Sequence, residues 1–418
     1  MPAHQTKAIL VDVIDPKTSR LEAVKRLEEL ESLINTYGGI AVVKVFQKKS
    51  IPDYATYVGK GKVDEIVEIA RREGADILVV NNLLKPRQIF NLDEILRKAK
   101  LHTKTWDRVD LILKIFDKHA VSSEAKLQIE LASIRHMGPR IFGMGMELSQ
   151  QTGAVGVRGG AGEANIEIMK RHLRRQELAI LKKLEHYDTI QQGHRLRRRR
   201  QNFKTVALVG YTNAGKSSLL KALTGKDVYI ADKLFATLDT RIGQIYIPNE
   251  NLSDGSPKYI PGRQILISYT IGFIQDLPPD LIQAFKSTLA ETIEADIIIH
   301  VIDVADEQIH KKIGIVEEIL DQLGLHDRPK IYVFNKIDML GGKLLFMRRR
   351  PRGKRTLLKA GAETAMILGW FNESKRESAL ELIKSLKKDY GKFDPIFVSA
   401  MEKIRLDEVI AKINSLSL

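Results

Sequence analysis

Residues 206–220 read VALVGYTNAGKSSLL, an apolar run broken by a glycine-bounded loop that ends in Lys-Ser before a second apolar run. Gly210, Gly215, Lys216 and Ser217 match G-x-x-x-x-G-K-[ST] in full. The residues between and after them are Tyr211, Thr212, Asn213, Ala214 and Ser218. Small residues are needed because the backbone N–H groups must turn inward around phosphate oxygens. Lys216 would reach the β- and γ-phosphates, and the Ser217 hydroxyl would bind Mg2+. A helix starting near Ser218 would point its positive end at the same anions. A chance match is the alternative. The context argues against it, because the loop follows a strand-like TVALVG and opens a helical SSLLKALTG.

The base is specified further along. PKIYVFNKID at 329–338 is a strand-like run ending in Asn335, Lys336, Ile337 and Asp338. In an N-K-x-D run after a phosphate loop, the carboxylate accepts two hydrogen bonds from the edge of guanine, a pattern that adenine cannot offer. Asn335 would fix the loop, and Lys336 would lie along the base and ribose. PIFVSA at 395–400 ends in Val398, Ser399 and Ala400, where backbone N–H groups could meet the guanine oxygen. Three strand-end motifs in this order make GTP and GDP the expected ligands.

Between them lie the segments that would sense the γ-phosphate. LFATLDTR at 234–241 contains Phe235, Ala236, Thr237, Leu238 and Asp239, with Thr237 as the second Mg2+ ligand. QILISYTIGFI at 264–274 carries Tyr269, Thr270, Ile271 and Gly272, and the Gly272 N–H would touch the γ-phosphate. Lys216, Thr237 and Gly272 are therefore the expected catalytic residues. Three residues before such a glycine, Asp is usual, but Tyr269 stands there. A phenol is neutral at pH 7 and larger than a carboxylate. Either magnesium binding suffers, or Tyr269 packs beneath the sheet and the ion rests on Ser217, Thr237 and phosphate. Phe273 cannot orient water as a Gln would, so hydrolysis is expected to be slow without a partner.

The remaining chain sets these motifs in a larger protein. Its 418 residues allow two or three domains, and it contains no cysteine, which excludes disulfides and thiolate metal sites and fits a cytoplasmic setting. No apolar run is long enough to span a membrane, and the N-terminus shows neither a secretory signal nor a transit peptide. The net charge of +15 favours a polyanionic partner. Residues 1–104 alternate strand-like runs (AILVDVI, IAVVKVF, DILVVNN) with helical patterns, as a parallel sheet with crossover helices does. From 105 to 200 the strand signal vanishes and two long helical patterns predict an antiparallel hairpin, joined by a glycine-rich loop at 141–163. Strand and helix alternate again over 201–418, interrupted by a basic insertion near 341–372. That insertion opens with GGKLLFMRRRPRGKR. The run HRLRRRR at 194–200 is either a solvated charge cluster or a contact for RNA phosphates. The histidines show no transition-metal spacing.

These stretches together resemble the HflX family of GTPases over nearly the whole chain. GYTNAGKSSLL, ADKLFATLD, TIGFIQDLPPDLIQAFKSTLAE and NKID resemble the family's G domain. YVGKGKVDEI (57–66), DRVDLILKIFDKHAVSSEAKLQIELA (107–132) and GVRGGAGE (156–163) resemble its N-terminal half. The resemblance implies an α/β fold: an N-terminal α/β domain with a long helical hairpin, followed by a Ras-like, doubly wound P-loop GTPase domain. It implies binding of a monomer to the large ribosomal subunit and its rRNA, with GTP-dependent splitting of stalled ribosomes. Arg158 in the hairpin loop would then meet RNA; a flexible linker is the plainer reading. Three features depart from the family: Tyr269, the shorter segment after Asp239, and a glycine-rich loop without its proline. Two other functions fit the residues, a ribosome-assembly GTPase in the manner of Era or Obg and a nucleotide-gated rRNA binder that scarcely hydrolyses.

Overall fold

The structure is a computed structural model, and it describes residues 5–151, 161–201, 203–225, 241–247, 263–269, 272–275, 281, 289–340 and 373–416. The chain divides into two compact units, one built mainly on residues up to Gly193 and the other mainly, though not wholly, on residues from His194 onward.

In the first unit, β1 (Lys7–Ile14), β2 (Ile40–Lys48), β3 (Ile77–Val80) and β4 (Lys104–Asp107) form a parallel sheet in the order β2-β1-β3-β4. The crossovers are α1 (Arg20–Tyr37), α2 (Lys60–Glu73) and α3 (Pro86–Lys98). Local chemistry sets their ends. Ser19 accepts the Glu22 N–H at the start of α1, and Gly38 closes it at φ 98°, a left-handed conformation that suits glycine. α3 opens on Pro86, whose missing N–H costs nothing at that position. Ile9, Val11, Leu78 and Val80 pack with Val63, Ile66 and Leu92 in one apolar cluster.

α4 (Arg108–His119) begins in a reciprocal cap, Asp107 accepting the Asp110 N–H at 2.9 Å while Asp110 accepts the Asp107 N–H at 3.0 Å. His136 on α5 (Ser123–Gln151) lies 3.2 Å from Asp107 and 3.5 Å from Asp110, fastening the long helix to this cap. Arg135 pairs with Glu177 of α6 (Ala161–Arg200) at 2.8 Å. The expected loop over 141–163 is therefore shorter, because helix continues to Gln151 and resumes at Ala161. Arg158 falls outside the described residues. Glycines in 141–151 do not break the helix, since one Gly costs only about 1 kcal/mol against Ala and its neighbours here are strong formers.

In the second unit the sheet order is β10-β9-β8-β5-β7-β6. Its strands are β5 (Lys204–Val209), β6 (Arg241–Ile247), β7 (Arg263–Tyr269), β8 (Ile297–Asp303), β9 (Lys330–Asn335) and β10 (Ile396–Phe397). Only β6 runs antiparallel to its neighbour. Around it lie α7 (Lys216–Thr224), α8 (Ala290–Ile293, a single turn), α9 (Ile309–Gln322), α10 (Glu373–Asp389) and α11 (Leu406–Leu416). The inner strands are mostly apolar, as parallel strands covered on both faces tend to be, with His300 and Asn335 buried among them. Order reverses beside β5, so the loop after β5 emerges at the carboxyl edge where open α/β sheets bind ligands. Among the described residues no helix is long and apolar enough to cross a membrane.

Candidate functional site

The loop after β5 is held in its curve by glycines that nothing else can replace. Gly210 has φ 150°, and a Cβ there would meet the Val301 carbonyl oxygen at 2.2 Å. Gly215 has φ 92°, and its Cβ would meet Asn335 Nδ2 at 2.2 Å. Because Gly215 caps the helix, α7 opens at Lys216, two positions before the expected start. Asn213 adopts φ 61° at the tip, a left-handed conformation that asparagine tolerates.

Lys216 is 7% exposed and donates to the carbonyls of Gly210 at 3.0 Å and Tyr211 at 2.8 Å. Burial pushes its pKa down to about 7, with the nearby charge of Lys336 as the second cause. An ammonium buried among carbonyls, with no carboxylate partner among the described residues, is poised for an anion, which would supply a countercharge. Gly272 is brought to this lysine as expected, for a Cβ on it would lie 2.8 Å from Lys216 Nζ and 2.9 Å from Thr212 Cα. Ser217 and Ser218 stand in the first turn of α7. Phe235, Ala236, Thr237, Leu238, Asp239, Thr270 and Ile271 lie outside the described residues.

The expected base-reading segment sits beside the phosphate loop. Asn335, at the end of β9, is 2% exposed. Its Nδ2 donates to Ala214 O at 3.0 Å, and its Oδ1 accepts the Ala400 N–H at 2.9 Å. The Ala400 N–H, expected to face guanine, is thus directed at Asn335. Lys336 has φ 66° and pairs with Asp303 at 2.7 Å rather than extending freely. Asp303, which sequence reasoning passed over, ends the apolar run of β8; a carboxylate closing such a strand was the available signal. Asp338 lies on a short 3-10 turn, Ile337–Met339. Its Oδ1 is buried with no hydrogen-bond partner among the described residues. That orphaned acceptor fits a ligand edge bearing N–H donors. Ile337 N donates to Val398 O at 3.2 Å, and Ser399 is fully buried, so the two loops form one block.

Tyr269 is 1% exposed and packs in the core with Leu208, Leu219 and Ile267. Of the two readings of this residue, the structure bears on the packing alone, and it places the ring in the core. The described residues therefore offer a metal ion the Ser217 hydroxyl and no carboxylate at position 269. The run at 194–200 is divided. Arg195 pairs with Glu294 at 2.9 Å and Arg198 with Glu291 at 2.5 Å, both largely buried, while Arg197 and Arg200 are exposed.

The chain matches three family models: "GTP-binding GTPase N-terminal" over residues 24–117, "GTP-binding GTPase Middle Region" over 119–198 and "50S ribosome-binding GTPase" over 205–336. It is 42% identical over 334 residues to the GTPase HflX of Caldanaerobacter subterraneus, covering 80% of this chain and 73% of that protein. It is 36% identical to the GTPase HflX of Escherichia coli over 80% of this chain and 74% of that one. Among solved structures, a GTP-binding protein of the archaeon Sulfolobus solfataricus in complex with GDP matches at 24% identity and a TM-score of 0.44. That match covers 99% of each chain.

Proposed function

The chain belongs to the HflX family of GTPases, and on that premise we propose that it is a cytoplasmic, monomeric factor that binds the large ribosomal subunit in its GTP state and splits or rescues stalled ribosomes. The observation that supports the nucleotide half is the combination of a buried Lys216 and a buried Asp338 oxygen, the first without a carboxylate partner and the second without a hydrogen-bond partner among the described residues. One asks for phosphate and the other for a base edge with N–H donors. The net charge of +15 and exposed arginines such as Arg197 and Arg200 support the RNA half.

In this reading Lys216 and the loop N–H groups bind the phosphates and stabilise charge that develops in the transition state. Gly272 and Thr237 meet the γ-phosphate once it has entered, and those contacts order the neighbouring segments. Mg2+, held by Ser217, Thr237 and phosphate oxygens, would neutralise the phosphate charge. Asn335 keeps the base loop and phosphate loop in register, and Asp338 selects guanine. With Tyr269 in the core and Phe273 buried, water must be positioned by other groups, so turnover depends on a partner.

GTP hydrolysis measured with and without large subunits tests this, together with sedimentation of intact ribosomes. Stimulation by subunits and a GTP-dependent rise in free subunits are expected. Absence of both sinks the reading. The burial of Tyr269 favours one second reading, a nucleotide-gated rRNA binder with little hydrolysis, which the same assay would reveal as binding without turnover.

A further inference from the structure

The phosphate loop is stitched to the segment carrying Gly272. Tyr211 and Phe273 form a parallel bridge, in which Thr212 N donates to Phe273 O at 2.8 Å and Phe273 N donates to Gly210 O at 3.1 Å. A side chain adds the third stitch, because the Gln275 N–H donates to the Tyr211 hydroxyl at 2.9 Å. Tyr211 is itself fixed. It is 7% exposed, and the Lys312 ammonium sits 4.8 Å from the centre of its ring.

We propose that Tyr211 lets this loop tell a nucleoside diphosphate from a triphosphate, by pinning the Gly272 segment across the space a γ-phosphate must enter. The proposal rests on the guanine-nucleotide reading above. A methyl group at Gly272 would lie 2.9 Å from Thr212 Cα and 2.8 Å from Lys216 Nζ, so the stitched segment lies directly against the loop backbone and the tip of that lysine. A β-phosphate would meet Lys216 and the amides at the start of α7, which take no part in the stitches. A triphosphate must therefore lift Phe273 and Gln275 off Gly210 and Tyr211, and its binding is weakened by whatever that opening costs. The aromatic ring positions the hydroxyl. The hydroxyl sets how firmly the segment is held.

The test compares GDP with a non-hydrolysable GTP analogue by calorimetry in Mg2+. Tyr211→Phe removes the acceptor and Gln275→Pro removes the donor of the same bond. Each should raise the ratio of triphosphate to diphosphate affinity about fivefold, the factor that one neutral hydrogen bond carries, and the double variant should add nothing. Rescue by shape is built in, since Phe keeps the ring under Lys312. Should Gln275→Pro fail to fold, amide exchange of the wild-type chain serves instead. Thr212, Phe273 and Gln275 should be protected without nucleotide and with GDP, and should lose protection with the analogue. An unshifted ratio in Tyr211→Phe, or continued protection with the analogue bound, overturns the proposal while leaving guanine binding intact. A wild-type chain that binds neither nucleotide overturns the guanine reading, and this proposal with it.

Discussion

Asn335 donates its side-chain amide to the carbonyl of Ala214 at 3.0 Å, so the strand proposed to lead to the base and the loop proposed to hold the phosphates share one anchor. The other end of the same amide accepts from Ala400. Replacing Asn335 by Ala strands two buried backbone groups, at a cost of about 2–4 kcal/mol in unfolding free energy. Urea denaturation should show this as a lower midpoint at constant slope, and affinity for GDP and GTP analogues should fall together. A variant with an unchanged midpoint would show that the two loops hold each other by other means.

Tyr269→Asp tests whether the aromatic ring is there to fill space. Removing it from the core should destabilise the ligand-free protein by about 3–5 kcal/mol, the range for losing a large buried ring. The new carboxylate, buried without a partner, should gain from Mg2+. Thermal unfolding should therefore show a low midpoint without ligand and a larger rise with Mg2+ and GTP than wild type shows. Equal shifts in both proteins would mean that the carboxylate does not reach the ion.

Lys216 gives a pH signature. Burial lowers its pKa to about 7, whereas the unfolded chain keeps its amine protonated up to the usual 10.5. Between those values the unfolded state binds more protons, so this lysine makes the nucleotide-free protein more stable as pH rises from about 7 toward 10.5. Phosphate oxygens would restore the charged form. Nucleotide binding at about pH 8.5 should then take up about one proton, readable by calorimetry in buffers of different ionisation enthalpy. Lys216→Met should abolish the uptake in any residual binding.

The arginine run separates into two roles. Arg198→Ser breaks a largely buried pair with Glu291 and should cost about 3 kcal/mol of stability. Arg197→Ser and Arg200→Ser, on exposed positions, should leave stability within about 0.5 kcal/mol. They should instead flatten the salt dependence of subunit binding, by about one unit of log–log slope for each arginine that meets a phosphate. Unaltered salt dependence would place the RNA contact elsewhere.

The phosphate loop was legible because its glycines answer to backbone geometry. Gly210 and Gly215 are required by contacts of 2.2 Å that any side chain would violate, and such requirements leave a local pattern. The parallel sheet of the first unit was legible from apolar runs such as DILVVNN, since burial on both faces removes alternation. What could not be read depends on partners distant in sequence. Nothing near Tyr269 tells whether its ring turns into the core. Nothing near Arg195 and Arg198 announces Glu294 and Glu291 almost a hundred positions on. The Tyr211–Gln275 bond is of the same kind, a meeting of two loops that only the folded chain brings together. The helical ends of the 141–163 segment were missed for a different reason, because glycine lowers helix propensity without forbidding it.

β2 lies at the rim of its sheet, nine residues long, with Lys44 exposed in its middle and tied to Glu31 at 2.5 Å. At one rim of the other sheet, β10 has only two residues. An open strand edge invites a stranger's backbone to dock and propagate into aggregate, and charge or brevity discourages it. These two rims, one by charge and the other by brevity, deny a neighbouring copy the continuous template along which strands would otherwise stack.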